Sequence, residues 1–513
     1  MGKLVVGWAM RDISTDGPGN LAGQFHARIS KGVEEPLYTV ALAVSDGKDS
    51  VIFLSVDTVA IRCGLLDEIR AEVKKKNPEI PVEKILANAT HTHSAPSHGF
   101  DDGDGAGSCN SYPHEGTEIL SGDVYRRFIA EQASDAVCEA WERRTQAGIA
   151  YGYGYAVVAN SRRVVYFDDL SQRSNFQRSA LHGLHGHAAM YGNTRDDMFS
   201  HYEAGADHYL NVLFTYDMEQ KLTGAIVNVP CPSQNSENND MVTSDYWGDI
   251  RKLMKEKYGD IFILPQCAAA GDLSPRALHY KEAQSRRFRL KYGYETKEPG
   301  KTQVVEEEIY KRKDIAERVV AGFDEVLSWA GKEIYYDLPV DHTVQEVHLS
   351  RRMITDEEYA FDKAAYEEVM KKPFLEEGSP KEMLVYNSSL SSERSRHKGI
   401  LKRYELQKEQ PKLPMEMHTV RIGDIAFASN QFELYMDYQH RIQARSPFEQ
   451  TFIVQLAGVA GLGGGSYLCT ERGAWGKGYS ASRYCNQVSP QGGQELVEYT
   501  LDALRELRKN ENE

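Results

Sequence analysis

KILANATHTHSAP, residues 84–96, runs an apolar stretch of strand length directly into two histidines spaced i, i+2. On an extended chain those positions share a face, so His91 and His93 can point into one pocket, one as a metal ligand and one as a proton carrier. Alone, an HxH pair is a weak signal, and it gains weight because the same arrangement recurs. Residues 223–229 lead into Cys231-Pro232-Ser233-Gln234, and 261–265 into Gly271-Asp272-Leu273-Ser274-Pro275. Later, 418–428 lead into Asn430-Gln431-Phe432-Glu433, and 451–457 pass through a Gly-rich turn to Tyr467. In α/β sheets the carboxyl ends of strands gather on one edge, where ligands bind. These segments are therefore expected to converge on one site.

Further apolar runs at 37–44 and 50–56 complete the strands of a largely buried sheet. Amphipathic stretches at 64–76, 122–145, 247–258, 304–332, 355–371 and 493–508 have helix length. The alternation predicts an α/β fold, a mixed β-sheet core flanked by helices, as one large domain over residues 1–513. The stretch at about 351–415 is rich in Lys and Glu and carries the Ser-rich SSLSSERS. It reads as a solvated helical insertion with an exposed loop rather than a cap over a substrate.

With 513 residues, 41% hydrophobic and 26% charged, the chain can bury a large core and is neither disordered nor fibrous. A net charge of −15 offers no basic field for nucleic acid or an anionic membrane, although the Arg pairs at 162–163 and 286–287 leave room for a small anion. The seven cysteines form no CxxC pair and read as mostly buried thiols. With neither a signal peptide nor an apolar run of transmembrane length, the chain reads as soluble and cytoplasmic. An exported or periplasmic protein stripped of its leader would read the same.

THTHSAP (90–96) after an apolar strand, AAAGDLSPR (268–276), and Tyr467 followed twelve residues on by Tyr479 together resemble the catalytic domain of the neutral (neutral/alkaline, non-lysosomal) ceramidases. Asp12-Ile13 through Gly23, then Pro36-Leu37-Tyr38, and GGQELVEYTLDALREL (492–507) extend the likeness over nearly the whole chain. The family's separate immunoglobulin-like C-terminal domain has no counterpart in these residues. The resemblance implies a hydrolase in which zinc-bound water attacks an N-acyl amide of a lipid-like substrate. It implies His91, Glu433 of NQFELY and Tyr467 as zinc ligands, with His93 touching substrate or water. It also implies Arg162 as the family's Asn-Arg arginine and Tyr479 as the group polarising the scissile carbonyl. Where the family has a second ligand histidine, this chain has Pro232, which carries no donor atom and leaves a tetrahedral set one ligand short. Cys231, Gln234 or Glu237 would replace it only if the loop were rebuilt, so zinc is expected on that condition.

Without a metal the same inventory suits a second chemistry. A Tyr or His takes the proton alpha to a uronate carboxylate while Arg162 and Gln234 neutralise that carboxylate, and a glycosidic bond is eliminated. That would be a carbohydrate lyase on the same scaffold, with a saccharide in place of a lipid amide. Ser274 is weighed as a nucleophile against a turn residue, and the turn is preferred for want of a fixed His–Asp partner. Asp272 is a candidate to orient a ligand or a histidine. HGLHGH (182–187) reads as a solvent-facing loop, and Asp101-Asp102-Gly103-Asp104 as an exposed turn lacking the downstream Glu of a calcium loop.

Overall fold

The structure is a computed structural model that describes residues 3–15, 17–99, 119–174, 186–293, 304–461 and 463–509, the side chains of 304–306 excepted. The turn at 101–104, Cys109, His182 and His185 lie outside the described residues. The strand Ser50–Val56, SVIFLSV, is buried at every position. It shows no alternation because a strand covered on both faces has no solvent side to mark. It lies in a five-stranded sheet ordered Ile85–Ala89, Ser50–Val56, Tyr38–Ser45, Val5–Asp12, Thr145–Gln146, in which only the first two strands run parallel.

A second sheet is ordered Phe262–Cys267, Leu222–Val229, Tyr209–Tyr216, Gly148–Tyr155, and its first two strands are parallel. A third is ordered Val340–Ser350, Lys412–Ile422, Ile425–Ser429, Gln450–Val454, with its last two parallel. One face of each sheet meets the other two in a shared apolar cluster. Trp8, Phe53 and Leu86 come from the first, Leu213, Ile226 and Leu264 from the second, and Val420, Phe427 and Phe452 from the third. The Phe427 ring lies 4.7 Å from Phe53 and 4.4 Å from Phe452.

Helices cover the outer faces. Leu65–Lys76 and Gly122–Glu142 pack on the first sheet, Tyr246–Tyr258 and Val304–Ala330 on the second, and Met436–Gln443 with Pro490–Lys509 on the third. Leu65–Lys76 shows why such segments are helical. It buries Leu65, Leu66, Ile69 and Val73 along one stripe, with acids in its first turn and lysines in its last, where the helix dipole favours each. The expected α/β class stands, with three mixed sheets in place of one.

Two expectations are corrected. The run 418–428 is not one strand, because Lys412–Ile422 and Ile425–Ser429 form a hairpin whose two-residue turn places Gly423 at φ +62, a left-handed backbone that glycine adopts freely. SSLSSERS is not an exposed loop. Pro380–Glu409 is one 30-residue helix opened by a Ser379/Glu382 capping box, and Ser388, Ser391 and Ser392 are buried. Their hydroxyls satisfy the backbone of the N-terminal loop: Ser388 Oγ accepts from Ala27 N at 2.9 Å, and Ser392 Oγ donates to Phe25 O at 2.7 Å. The flanking strands pair antiparallel from Val340↔Ile422 to Ser350↔Lys412. The inserted helices, Asp356–Lys371 and Pro380–Glu409, thus leave and rejoin the sheet at one point.

The parallel pairs end on a common edge, tied across the sheets by buried amides. Asn88 Nδ2 donates to Pro265 O at 3.1 Å and Asn228 Nδ2 to Ile453 O at 3.0 Å, while Gln455 N donates to Cys267 O at 3.1 Å. The cysteines among the described residues are unpaired, and only Cys63 is not fully buried. Among the described residues, no helix is long and apolar enough to cross a membrane.

Candidate active site

Just beyond the strand Ile85–Ala89, His91 sits at φ +65, a left-handed conformation that costs a non-glycine residue roughly 1–2 kcal/mol. The THT segment is therefore not extended, contrary to the expectation from i, i+2 spacing. The two imidazoles still meet, with ring centroids 4.9 Å apart. His91 N donates to Thr58 O at 2.9 Å, and its Nδ1 lies 2.7 Å from Val59 O. A carbonyl only accepts, so Nδ1 carries a proton, and Nε2 faces inward toward His93 and Glu433.

His93 is fixed the same way by a carboxylate, its Nδ1 lying 2.9 Å from Glu237 Oε2. Glu237 also accepts from Gln24 Nε2 at 3.1 Å and pairs with Arg276 at 2.6 Å, and its carbonyl accepts from Arg28 at 2.7 Å. Burial alone would raise this acid, but His93, Arg276 and Arg28 outweigh it and bring it down to about 2. Burial draws His93 below the usual imidazole value. The His91 and His93 Nε2 atoms are 3.3 Å apart, within hydrogen-bond reach of each other.

Arg162 crosses the floor of the cluster, 1% exposed. Its Nη2 donates to Gly271 O at 2.9 Å and lies 3.3 Å from both Glu433 Oε2 and Tyr467 OH. Its Nη1 reaches Tyr191 OH at 3.2 Å and Gln234 Oε1 at 3.4 Å. Two very short strands set this up. Glu433–Leu434 pairs parallel with Tyr467–Leu468, putting Glu433 opposite Tyr467. Asn160–Ser161 pairs with Leu273–Ser274, carrying Arg162 to the GDLSP turn. Glu433 Oε2 stands 3.5 Å from His91 Nε2. Burial works to raise Glu433, yet His91, Arg162 and the Tyr467 hydroxyl hold it below the ordinary carboxylate value. Burial pushes the Tyr467 and Tyr479 phenols well up, so both remain donors at neutral pH. The Tyr479 ring stands edge-on to Tyr467 at 5.7 Å.

The loop carrying Gln234 and Glu237 is held by Asp245, whose Oδ2 accepts from Asn235 N and Ser236 N, each at 2.8 Å. Over the other side of His93 lies Gly23, at φ +99; a Cβ there would fall 2.4 Å from the His93 ring, so only glycine lets this loop close in. Two residues on, Phe25 packs edge-on to Tyr479 at 5.4 Å.

The structure thus gathers His91, His93, Arg162, Gln234, Glu237, Glu433, Tyr467 and Tyr479 into one continuous cluster. It leaves Asp272 and Ser274 at its margin. Asp272 Oδ1 accepts from Met436 N at 2.9 Å, at the start of the helix Met436–Gln443, and burial pushes this acid up to about 6. Ser274 Oγ accepts from Arg276 N at 3.1 Å and lies 3.4 Å from Tyr191 OH. Sequence reasoning missed Arg28, Asp245 and Tyr191, and did not assign Arg276 although it closes AAAGDLSPR. Pro232 supplies no donor atom for zinc, and burial keeps the Cys231 thiol protonated. Gln234 and Glu237 are committed to Tyr191, Arg162, His93 and Arg276, and His187 stacks on Trp475 at 4.8 Å. Among the described residues no group of three or more His, Cys, Asp and Glu side chains is arranged to hold a metal ion. Of the set the resemblance implies, His91, Glu433 and Tyr467 stand together, and the 231–237 loop adds no fourth donor.

No family model matches the chain, and no curated protein matches it in sequence. Solved structures do match in fold. A ceramidase complexed with C2 superposes with a TM-score of 0.64 at 15% identity, over 99% of this chain and 76% of that one. The neutral ceramidase from Pseudomonas aeruginosa gives 0.61 at 17% identity, over 99% and 75%. At that identity the likeness carries the architecture: this chain has the fold of these ceramidases.

Proposed function

We propose that the chain is a hydrolase that cleaves an N-acyl amide or a related acyl bond. The observation that carries this is the His93–Glu237 dyad standing in one cluster with His91, Glu433, Arg162, Tyr467 and Tyr479, on a fold shared with ceramidases. His93 Nε2, oriented through Nδ1 by Glu237, takes a proton from a water bound beside the two imidazoles. The water oxygen adds to the acyl carbon. Arg162 and the protonated Tyr479 phenol stabilise the oxyanion. The amine then leaves with the proton that His93 accepted, and the Glu237 carboxylate stabilises the imidazolium in between. No step requires the zinc implied by the resemblance.

The test is a panel of N-acyl amides, N-acylsphingosine included, in water enriched in oxygen-18, with elemental analysis of the same preparation. One labelled oxygen in the released acid, from an enzyme indifferent to chelator, is the expected result. About one zinc per chain, with activity lost on chelation, would restore metal-activated water. No acid from any amide would end the hydrolase reading.

One observation favours the lyase as a second reading. Tyr191, which meets Arg162 and Gln234, also forms the near wall of a groove of about 1120 Å³ lined by His279, Tyr280, Arg286 and Arg289. Aromatic faces among guanidinium groups suit a saccharide bearing carboxylates. An unsaturated product absorbing in the near ultraviolet, formed from a uronate-containing glycan, would decide for elimination.

A further inference from the structure

We propose that the substrate carries a carboxylate and that Arg396, delivered by the inserted helix Pro380–Glu409, binds it. The proposal rests on the cluster described above being the reaction site, and it adds the class of substrate. Arg396 is held in an aromatic cage, its guanidinium 5.0 Å from the Phe25 ring, 5.5 Å from Tyr484 and 5.7 Å from Tyr479. Tyr479 packs against Tyr467, whose hydroxyl meets Arg162. Arg396 therefore stands one ring from the proposed oxyanion site.

It lacks what such a charge requires. Its only hydrogen bond among the described residues is from Nη2 to Cys485 Sγ at 3.0 Å, a weak acceptor, and its buried Nε has none. Among the described residues no Asp or Glu pairs with it. Arg396 as a whole is half-buried, but a buried donor such as its Nε is nearly always satisfied in folded proteins. Cation–π contacts stabilise the charge but leave the N–H fork open. A planar carboxylate matches the open guanidinium fork in both geometry and charge.

A carboxylate could reach this place on an N-acyl amino acid, whose hydrolysis puts the water oxygen in the fatty acid and a water proton on the amine. It could equally arrive on a uronate residue. The probes are N-dodecanoylglycine against N-dodecanoylethanolamine, its neutral counterpart, and a glucuronate disaccharide against its methyl ester. Calorimetric binding and turnover are both measured. For one pair, the acid should exceed the neutral compound in affinity and in kcat/KM by about 10- to 100-fold, carried mainly by KM. Arg396→Gln should collapse that ratio to near unity, and Arg396→Lys, which keeps the charge and the cage contacts, should recover part of it. Melting curves establish that both variants are folded. If an acid binds in an Arg396-dependent way but is not hydrolysed, the inference stands and the hydrolase reading fails. Equal treatment of acid and neutral compounds in both pairs overturns the inference, whatever is hydrolysed, as does an acid preference untouched by either substitution.

Discussion

Around Asp362 and around Glu433 the chain assembles the same four groups, imidazole, carboxylate, guanidinium and phenol, with opposite results. Asp362 Oδ1 takes His397 Nδ1 at 2.6 Å and Tyr484 OH at 2.7 Å, and Oδ2 takes Arg483 Nε at 2.7 Å. Around Glu433, Arg162 stands at 3.3 Å and His91 at 3.5 Å, and the two imidazoles are themselves 3.3 Å apart. A saturated polar cluster rigidifies what it joins, whereas slack hydrogen-bonding capacity is what a ligand can complete. The first cluster ties Asp356–Lys371 and Pro380–Glu409 to the segment just after Tyr479. The second has room for chemistry.

The sharpest break of this contrast is His93→Ala. It should lower kcat/KM by about 10²–10⁴-fold while lowering the melting temperature only modestly, because Glu237 keeps its bonds to Gln24 and Arg276. Near-wild-type turnover would remove His93 from the reaction. Asp362→Ala should do the reverse, stranding Arg483 and His397 without their acceptor at a cost of about 3–5 kcal/mol, read by denaturant titration. A loss below about 1 kcal/mol would make the cluster no stronger than a surface ion pair and dissolve the distinction.

The smallest effect sharpens the boundary between the two. Burial raises Asp272 from 3.8 to about 6, so the folded protein holds this proton more tightly than the unfolded chain. Its stabilising contribution is complete below the unfolded value and is lost as pH rises through the folded one. Asp272→Asn keeps an acceptor for Met436 N without the charge. Melting curves should show the wild type falling relative to the variant between about pH 4 and pH 7, and superimposable profiles would assign the effect to another group.

How far the sequence could be read depended on range. Strand ends were legible because apolar runs stop abruptly at His91, Cys231, Gly271 and Asn430, and shared strand polarity brings such ends together. The pairing of Glu433 with Tyr467 was not, since two-residue strands carry no periodicity. Arg28 and Asp245 act through the backbone of distant loops, and nothing in their neighbourhoods marks that. Ile422 and Ile425 flank a turn of only Gly-Asp, so the hairpin looked like one strand. Serines in SSLSSERS suggested solvent because the partner of their hydroxyls, the 25–27 backbone, lies hundreds of residues away. For the same reason the inserted helices read as a surface excursion, although they press on the loop beside His93.

That insertion hangs from one rung, Ser350 opposite Lys412. The strands have already brought its ends together, so its length is nearly free of chain-closure cost, each doubling of a flexible connection adding only about 0.6 kcal/mol. The part free to change length is therefore the connection between the two helices, residues 372–379, because the helices themselves are fastened to the 25–27 loop and to the segment after Tyr479.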